Sequence, residues 1–241
     1  IQLLSDAIKS VYASVFYENS KAYMAATQNV IDEEKMGIIL QEVCGSKYGD
    51  RFYPTLSGVA RSINFYPVEP EKHDEGIVNI ALGLGKQIVD GGKSLRFSPR
   101  HPDKVLQLAS PEMALKDTQK YFYALDLNPE SFTPNTDDAI NLLRLKIKEA
   151  EDDNSLKQAA STFDFQNNMI REGTMYTGKK IITFANVLKH KIIPLDSILQ
   201  DLLEIGQKEM NNPIEIEFAV DLNQDKDEPI ILNFLQIRLI V

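Results

Sequence analysis

Four residues near the end of the chain are of the types that handle charged phosphates: Glu215, Glu217, Gln236 and Arg238. The first two alternate with apolar residues in "IEIEFAV" (214–220), and the last two alternate with Leu235, Ile237 and Leu239. Side chains of a strand switch faces every residue, so each run has one apolar and one polar face. If the chain folds back on itself near Lys226–Asp227, Glu217 lies opposite Gln236 and Glu215 opposite Arg238. Two carboxylates, an amide and a guanidinium then share one patch. Paired carboxylates suit Mg²⁺, which keeps several waters and bridges to substrate phosphates. An adjacent arginine suits charge that builds on a transferred phosphoryl group. The plainer reading is a hairpin with its polar side in water and a cross-strand ion pair worth about 0.2–1 kcal/mol. Pattern alone favours the plainer one.

Other candidates carry less. "GLGKQIVDGG" (83–92) brings glycines that let backbone amides approach a phosphate or ribose, but it is neither G-x-G-x-x-G nor a phosphate loop ending in G-K-[ST]. Lys47, Arg51 and Arg61 could reach a polyphosphate from a hairpin loop. His73, His101 and His190 have no metal spacing with one another, and each reads better as a solvated or structural residue than as a phosphate carrier. Cys44, the single cysteine, sits in an apolar run and reads as a small core residue.

The elements that must position these residues follow from periodicity. Residues 3–27 form an amphipathic helical pattern with a break near Tyr17–Ser20. "KMGIILQEVCGS" (35–46) and "TLSGVARSINFYP" (55–67) read as two strands of a hairpin, and "GIVNIALGLG" (76–85) as a third strand entering a glycine turn. A strand is expected near 94–98 and another in "KYFYALDL". "TDDAINLLRLKIKEAEDD" (136–153) reads as a helix capped by Thr136, with Asp137 and Asp138 at its positive end. "STFDFQNNMI" and "KKIITFANVLKH" read as strands, and 194–210 as a strong helix before the closing hairpin. Antiparallel pairs with helices between them give an α+β class.

Composition sets bounds. The 241 residues carry a formal net charge of −9, which argues against a nucleic-acid or anionic-membrane binder. No apolar run approaches the ~20 residues that span a bilayer. One cysteine rules out an intramolecular disulfide and fits a reducing compartment, so a cytoplasmic location is expected. The chain opens directly in a helical pattern at Ile1, as expected of a piece of something longer.

Four blocks, in order and roughly in spacing, resemble the nucleotide-binding domain of the phosphoenolpyruvate synthase and pyruvate phosphate dikinase family. They are "AIKSVYASVF" with "KAYMAA", "MGIILQEVCGS" followed by "SGVARS", "GLGKQIVDGG", and "IEIEFAVD" with "NFLQIR". The last is the most specific. The resemblance covers most of the chain apart from a divergent insert at about 100–175, and it implies a partial ATP-grasp-like domain: antiparallel sheets with packed helices. By this resemblance Glu215 and Glu217 hold Mg²⁺ with the phosphates of ATP, Gln236 and Arg238 contact the phosphates during transfer, and Gln41, Glu42 and Val43 lie on a hinge strand (36–44) that meets the adenine. The family passes phosphate from ATP to a histidine on a swivelling domain, and on to pyruvate on a further domain. Where it usually has glutamate after G-L-G, this chain has Lys86. Two rival readings are a degenerate, non-catalytic module of the same fold and an ATP-dependent ligase.

Overall fold

The computed structural model describes residues 2–26, 36–128, 141–223 and 229–240. The chain divides into two units, one of Ile1–Val43 with Leu127–Leu142, the other of Cys44–Asp126 with Leu143–Val241.

In the first unit, helices α1 (Gln2–Ser14) and α2 (Glu18–Ala26) are separated at the expected break. No residue of α1 is buried, and Leu4, Val11 and Tyr12 of its apolar stripe are exposed, as is Phe16 just beyond its end. Residues 36–45 form no strand, against the expected hinge strand at 36–44. The reason lies in the partner. The segment 55–67, expected to pair with it, places its strand between two others, so neither of its edges is left for 36–44. Gln41, Glu42 and Val43 are all exposed.

The second unit is built on three sheets. A hairpin of β1 (Ser46–Tyr48) and β2 (Arg51–Tyr53) turns at Gly49 and Asp50, a shorter excursion than the expected one. With β6 (Tyr121–Asp126) and β7 (Leu142–Lys146) it makes a four-stranded sheet in the order β1-β2-β6-β7. The segment expected as a helix over 136–153 is therefore a strand followed by a short helix α5 (Ile147–Asp152); residues 136–140 lie outside the described part. "LLRLKI" satisfies both periods, with Leu143, Leu145 and Ile147 turned inward and Arg144 and Lys146 exposed. A free edge of β6 lets the two-residue period win.

A five-stranded sheet has the order β12-β11-β3-β4-β5, from β3 (Leu56–Arg61), β4 (Ile77–Ala81), β5 (Leu95–Phe97), β11 (Ile214–Val220) and β12 (Leu232–Leu239), all antiparallel. One face is apolar: Ile214, Ile216, Phe218 and Val220 are completely buried and join one cluster with Ala60, Val78, Ile80 and Phe97. Helix α7 (Leu195–Met210) adds Leu195, Leu199 and Leu203 to that cluster from one stripe. Gly58, opposite Phe218, gives the ring its space, because a Cβ there would fall 2.1 Å from the Phe218 ring.

The third sheet, in the order β10-β8-β9, joins β8 (Ala160–Asp164), β9 (Met169–Glu172) and β10 (Lys179–Ile182). "STFDFQNNMI" is thus a hairpin and not one strand. Asp164 caps its turn by accepting the Gln166 and Asn167 N–H groups, and Asn168 takes a left-handed φ of 47°. Likewise "KKIITFANVLKH" holds β10 and then a short helix α6 (Ala185–Leu188). Two further short helices are α3 (Lys86–Val89) and α4 (Pro111–Asp117), the latter capped by Ser110 Oγ, which accepts from Met113 N–H.

Candidate functional site

The closing hairpin pairs in the expected register: Glu215 opposite Arg238 and Glu217 opposite Gln236. Its turn at 224–228, including Lys226–Asp227, lies outside the described residues. A bulge follows Glu217, so that Phe218 pairs with Phe234 and Leu235 is the extra residue. Neighbouring β3 brings Arg61 beside Glu215, Val59 beside Glu217 and Ser57 beside Ala219. The polar face of β11 therefore reads across three strands as Arg238–Glu215–Arg61 and Gln236–Glu217–Val59.

Glu215 is the centre of this face. It is 4% exposed, and both its oxygens are engaged. Oε2 accepts from Arg61 Nε at 2.5 Å, and Oε1 accepts from Arg238 Nε at 2.7 Å and from a second Arg238 nitrogen. Burial alone would raise its pKa. The Arg61 and Arg238 guanidiniums outweigh burial and hold the carboxyl below the usual range. The same pair raises the pKa of Arg238 further. Arg61 and Arg238 keep 41% and 54% of their side-chain surface exposed, so each uses Glu215 as an anchor while its remaining donors face solvent. Glu217 is half-buried and Gln236 exposed.

Sequence reading placed Glu215 with Glu217 as twin metal donors. In the structure the two differ: Glu215 is committed to arginines, and Glu217 has no ion pair among the described residues. No group of three or more His, Cys, Asp or Glu side chains with metal-binding geometry occurs among the described residues. A site for Mg²⁺ made of one protein carboxylate and substrate oxygens fits this donor set, since Mg²⁺ is commonly held by one or two carboxylates plus phosphates.

The glycine turn adjoins the face. Ser57 Oγ donates to Gly83 O at 2.7 Å, and a Cβ on Gly85 would meet only Ser57, at 3.9 Å, so one flank of the turn is open. Gly83 has φ 82°, and a Cβ there would lie 2.5 Å from Tyr123 O, which requires glycine. Lys86 pairs with Asp90 at 3.1 Å and lies 6.0 Å from the Tyr123 ring centre.

The other candidates disperse. Arg51 pairs with Asp153 at 3.3 Å, Lys47 stands opposite Phe52 on the short hairpin, and only Arg61 reaches the polar face. The histidines lie off its strands: His73 Nδ1 meets Asn64 O at 2.8 Å, His101 faces Glu75 at 3.4 Å and His190 faces Glu172 at 2.6 Å. Cys44 is half-buried; burial and nearby Asp221 push its pKa up to about 11, which keeps it a protonated thiol. Sequence reading missed Asp221, 2% exposed, which accepts from Thr55 Oγ1 at 2.8 Å and from Ser46 Oγ. The signal was a lone acid directly after an apolar strand, in "FAVDLN".

Antiparallel sheets with packed helices make the domain α+β and ATP-grasp-like. The chain belongs to the family described as pyruvate phosphate dikinase, AMP/ATP-binding domain, which matches residues 2–240. It is thus the ATP/AMP-binding portion of a kinase-type enzyme of that family. No curated protein matches the chain. No helix among the described residues is long and apolar enough to cross a membrane.

Proposed function

We propose that this domain holds MgATP over the polar face of β11 and passes its phosphate to a histidine on another domain of the same protein, and from there to pyruvate. The carrying observation is the Arg61–Glu215–Arg238 array beside Glu217 and Gln236 on one sheet face. In this reading Glu217 is the carboxylate toward Mg²⁺, and Glu215 serves it indirectly by fixing both arginines. When bound, Mg²⁺ neutralises charge between the phosphates. Arg238, oriented through two nitrogens on Glu215, presents its outer N–H groups to the transferred phosphoryl group as charge spreads over its oxygens. Gln236 donates an amide N–H to the same group. By the family resemblance Gln41, Glu42 and Val43 remain the proposed adenine contacts. The 241 residues alone bind nucleotide without completing transfer, because none of their histidines lies on the strands of this face. A cytoplasmic enzyme is the matching setting.

The test uses the whole protein. Glu217→Gln and Arg238→Gln should each lower phosphoryl transfer by roughly 10³-fold or more, the scale of a lost transition-state arginine. Glu217→Gln should keep the melting profile of the free protein, whereas Arg238→Gln also removes a partner of the buried Glu215. Full activity in both variants would refute the assignment. The second reading, a non-catalytic module, is favoured by Lys86 and its pairing with Asp90 where the family usually has an acid. MgATP binding without any transfer in the whole protein would select it. Ligand bound only to the native state at 100 Kd stabilises it by about 2.7 kcal/mol, so a thermal shift reads nucleotide binding directly.

A further inference from the structure

A second charged region lies elsewhere in the larger unit, and there cations outnumber acids: Lys93 pairs with Asp117 at 3.6 Å and Lys148 with Asp152 at 2.9 Å, while most of the others have no acid beside them. A groove of about 390 Å³ is lined by Lys120, Lys146, Lys148, Lys179 and Lys180, with Glu151 as its one carboxylate. A second, of about 280 Å³, shares Lys120 and Tyr121 with it and adds Lys93 and Arg144, with Asp90 as its one carboxylate. Both carboxylates are already engaged, Glu151 by Lys148 at 3.3 Å and Asp90 by Lys86 at 3.1 Å. Lys120, Lys146, Lys179 and Arg144 have no carboxylate within 4 Å among the described residues. Lys120 Nζ is tied instead to neutral oxygens, the Leu115 carbonyl and Thr118 Oγ1. The Arg144 guanidinium is stacked 4.1 Å from the Tyr121 ring centre, which places it on the wall between the two grooves.

We propose that these joined grooves around Lys120 bind a small molecule carrying two or more phosphoryl groups, at a site separate from the polar face of β11. Like charges crowd here in a chain whose formal net charge is −9. Gathering ammonium groups without counter-charges costs folding energy, and a bound anion removes that cost. Lysine is a common phosphate binder, as a rotatable point charge, and Arg144 adds a planar fork that also matches phosphate. The two volumes suit a small ligand. The acidic remainder of the chain repels a long polyanion such as nucleic acid. The two grooves meeting at Lys120 call for a ligand with charge at more than one point.

Lys120 also supplies an internal reporter. Burial first, then the neighbouring ammoniums of Lys179 and Lys93, lower its pKa to about 8, against a smaller opposing effect of Asp117. Of the remaining charged groups facing it, Lys146 and Arg144 act in the lowering direction and Glu151 in the raising one. An anion in the groove favours the charged form, so binding near pH 8 takes up a proton.

The probe is inorganic tripolyphosphate, titrated calorimetrically into the whole protein at pH 8 in two buffers of different ionisation enthalpy. The expected result is saturable binding with net proton uptake. Lys179→Gln and Lys120→Gln should weaken it at least tenfold; Lys179→Gln is the informative variant should Lys120→Gln fail to fold. Arg238→Gln should leave it unchanged, which separates this site from the one proposed for ATP. Absence of binding, or binding lost in Arg238→Gln and kept in Lys179→Gln, overturns the proposal. So does citrate binding as tightly as tripolyphosphate, or a single-stranded oligonucleotide binding more tightly.

Discussion

The polar face of β11 and the Lys120 grooves are both charged surfaces on sheet strands, and they solve the same electrostatic problem in opposite ways. On β11 each arginine has a carboxylate, and that carboxylate is buried where its two bonds fix direction. In the Lys120 grooves, Lys93 and Lys148 have acids beside them, but Lys120 and Lys180 rest on neutral oxygens, and Lys146, Lys179 and Arg144 have no carboxylate within 4 Å among the described residues. The first arrangement trades net charge for geometry. The second keeps its charge and leaves direction loose. A matched cluster therefore suits positioning of a reacting group, and an unmatched one suits capture of an anion.

That contrast breaks most sharply at Glu215. Replacing it with alanine frees both arginines, and misplacement of a positioned group by about 1 Å costs roughly 10²-fold in rate. Phosphoryl transfer by Glu215→Ala should fall by that order with nucleotide affinity less affected, read as a loss in kcat greater than the rise in KM. Equal loss in both would show that Glu215 touches the nucleotide itself.

The next effect falls on the scaffold beneath the face. Gly58→Ala puts a methyl group against the buried Phe218 ring, on the strand beside Glu215. Overpacking of this kind costs about 1–3 kcal/mol, measurable by urea denaturation. Gly206 in α7 is the milder comparison. A Cβ there meets the movable end of Ile214, at 2.5 Å, and alanine gains about 1 kcal/mol of helix propensity. Gly206→Ala should therefore lie near neutral.

The pH dependence separates the two regions by sign. Glu215 has a lowered pKa, so its contribution to stability is present above the unfolded value near 4.5 and is lost as pH falls through the lower folded value. Glu215→Gln should flatten stability across that acid window. Lys120 also has a lowered pKa, but as a base: between about 8 and 10.5 the unfolded chain binds more protons, so stability rises with pH there. Lys120→Gln should abolish that rise and raise stability at pH 7 slightly. A Lys120→Gln profile identical to the parent would mean the grooves carry no electrostatic cost.

Much of the candidate site was legible because a period of two fixes both the face and, with the turn position, the cross-strand partners. Glu215 with Arg238 and Glu217 with Gln236 follow from that arithmetic alone. The third strand did not follow. Arg61 was visible as a basic residue, but nothing local says that β3 lies between β4 and β11, so its bond to Glu215 was illegible. The same gap produced the misplaced strand at 36–44: apolar composition marks a segment as able to pair and not what it pairs with. At "LLRLKI" the sequence satisfies two periods, and a neighbouring edge decided between them. The Lys120 grooves collect lysines from "TQKY", "RLKIK" and "TGKK", far apart along the chain, and only the folding of two sheets brings them together.

The extra residue at Leu235 has a consequence for how this hairpin tolerates change. Odd-numbered Asn233 and even-numbered Gln236 and Arg238 look the same way because one residue is spent between them. Losing it would straighten the ladder without turning the arginine over. Losing Ile237 would set Gln236 and Arg238 on opposite faces, so a single deletion is tolerated at the kink and ruinous one step beyond Gln236.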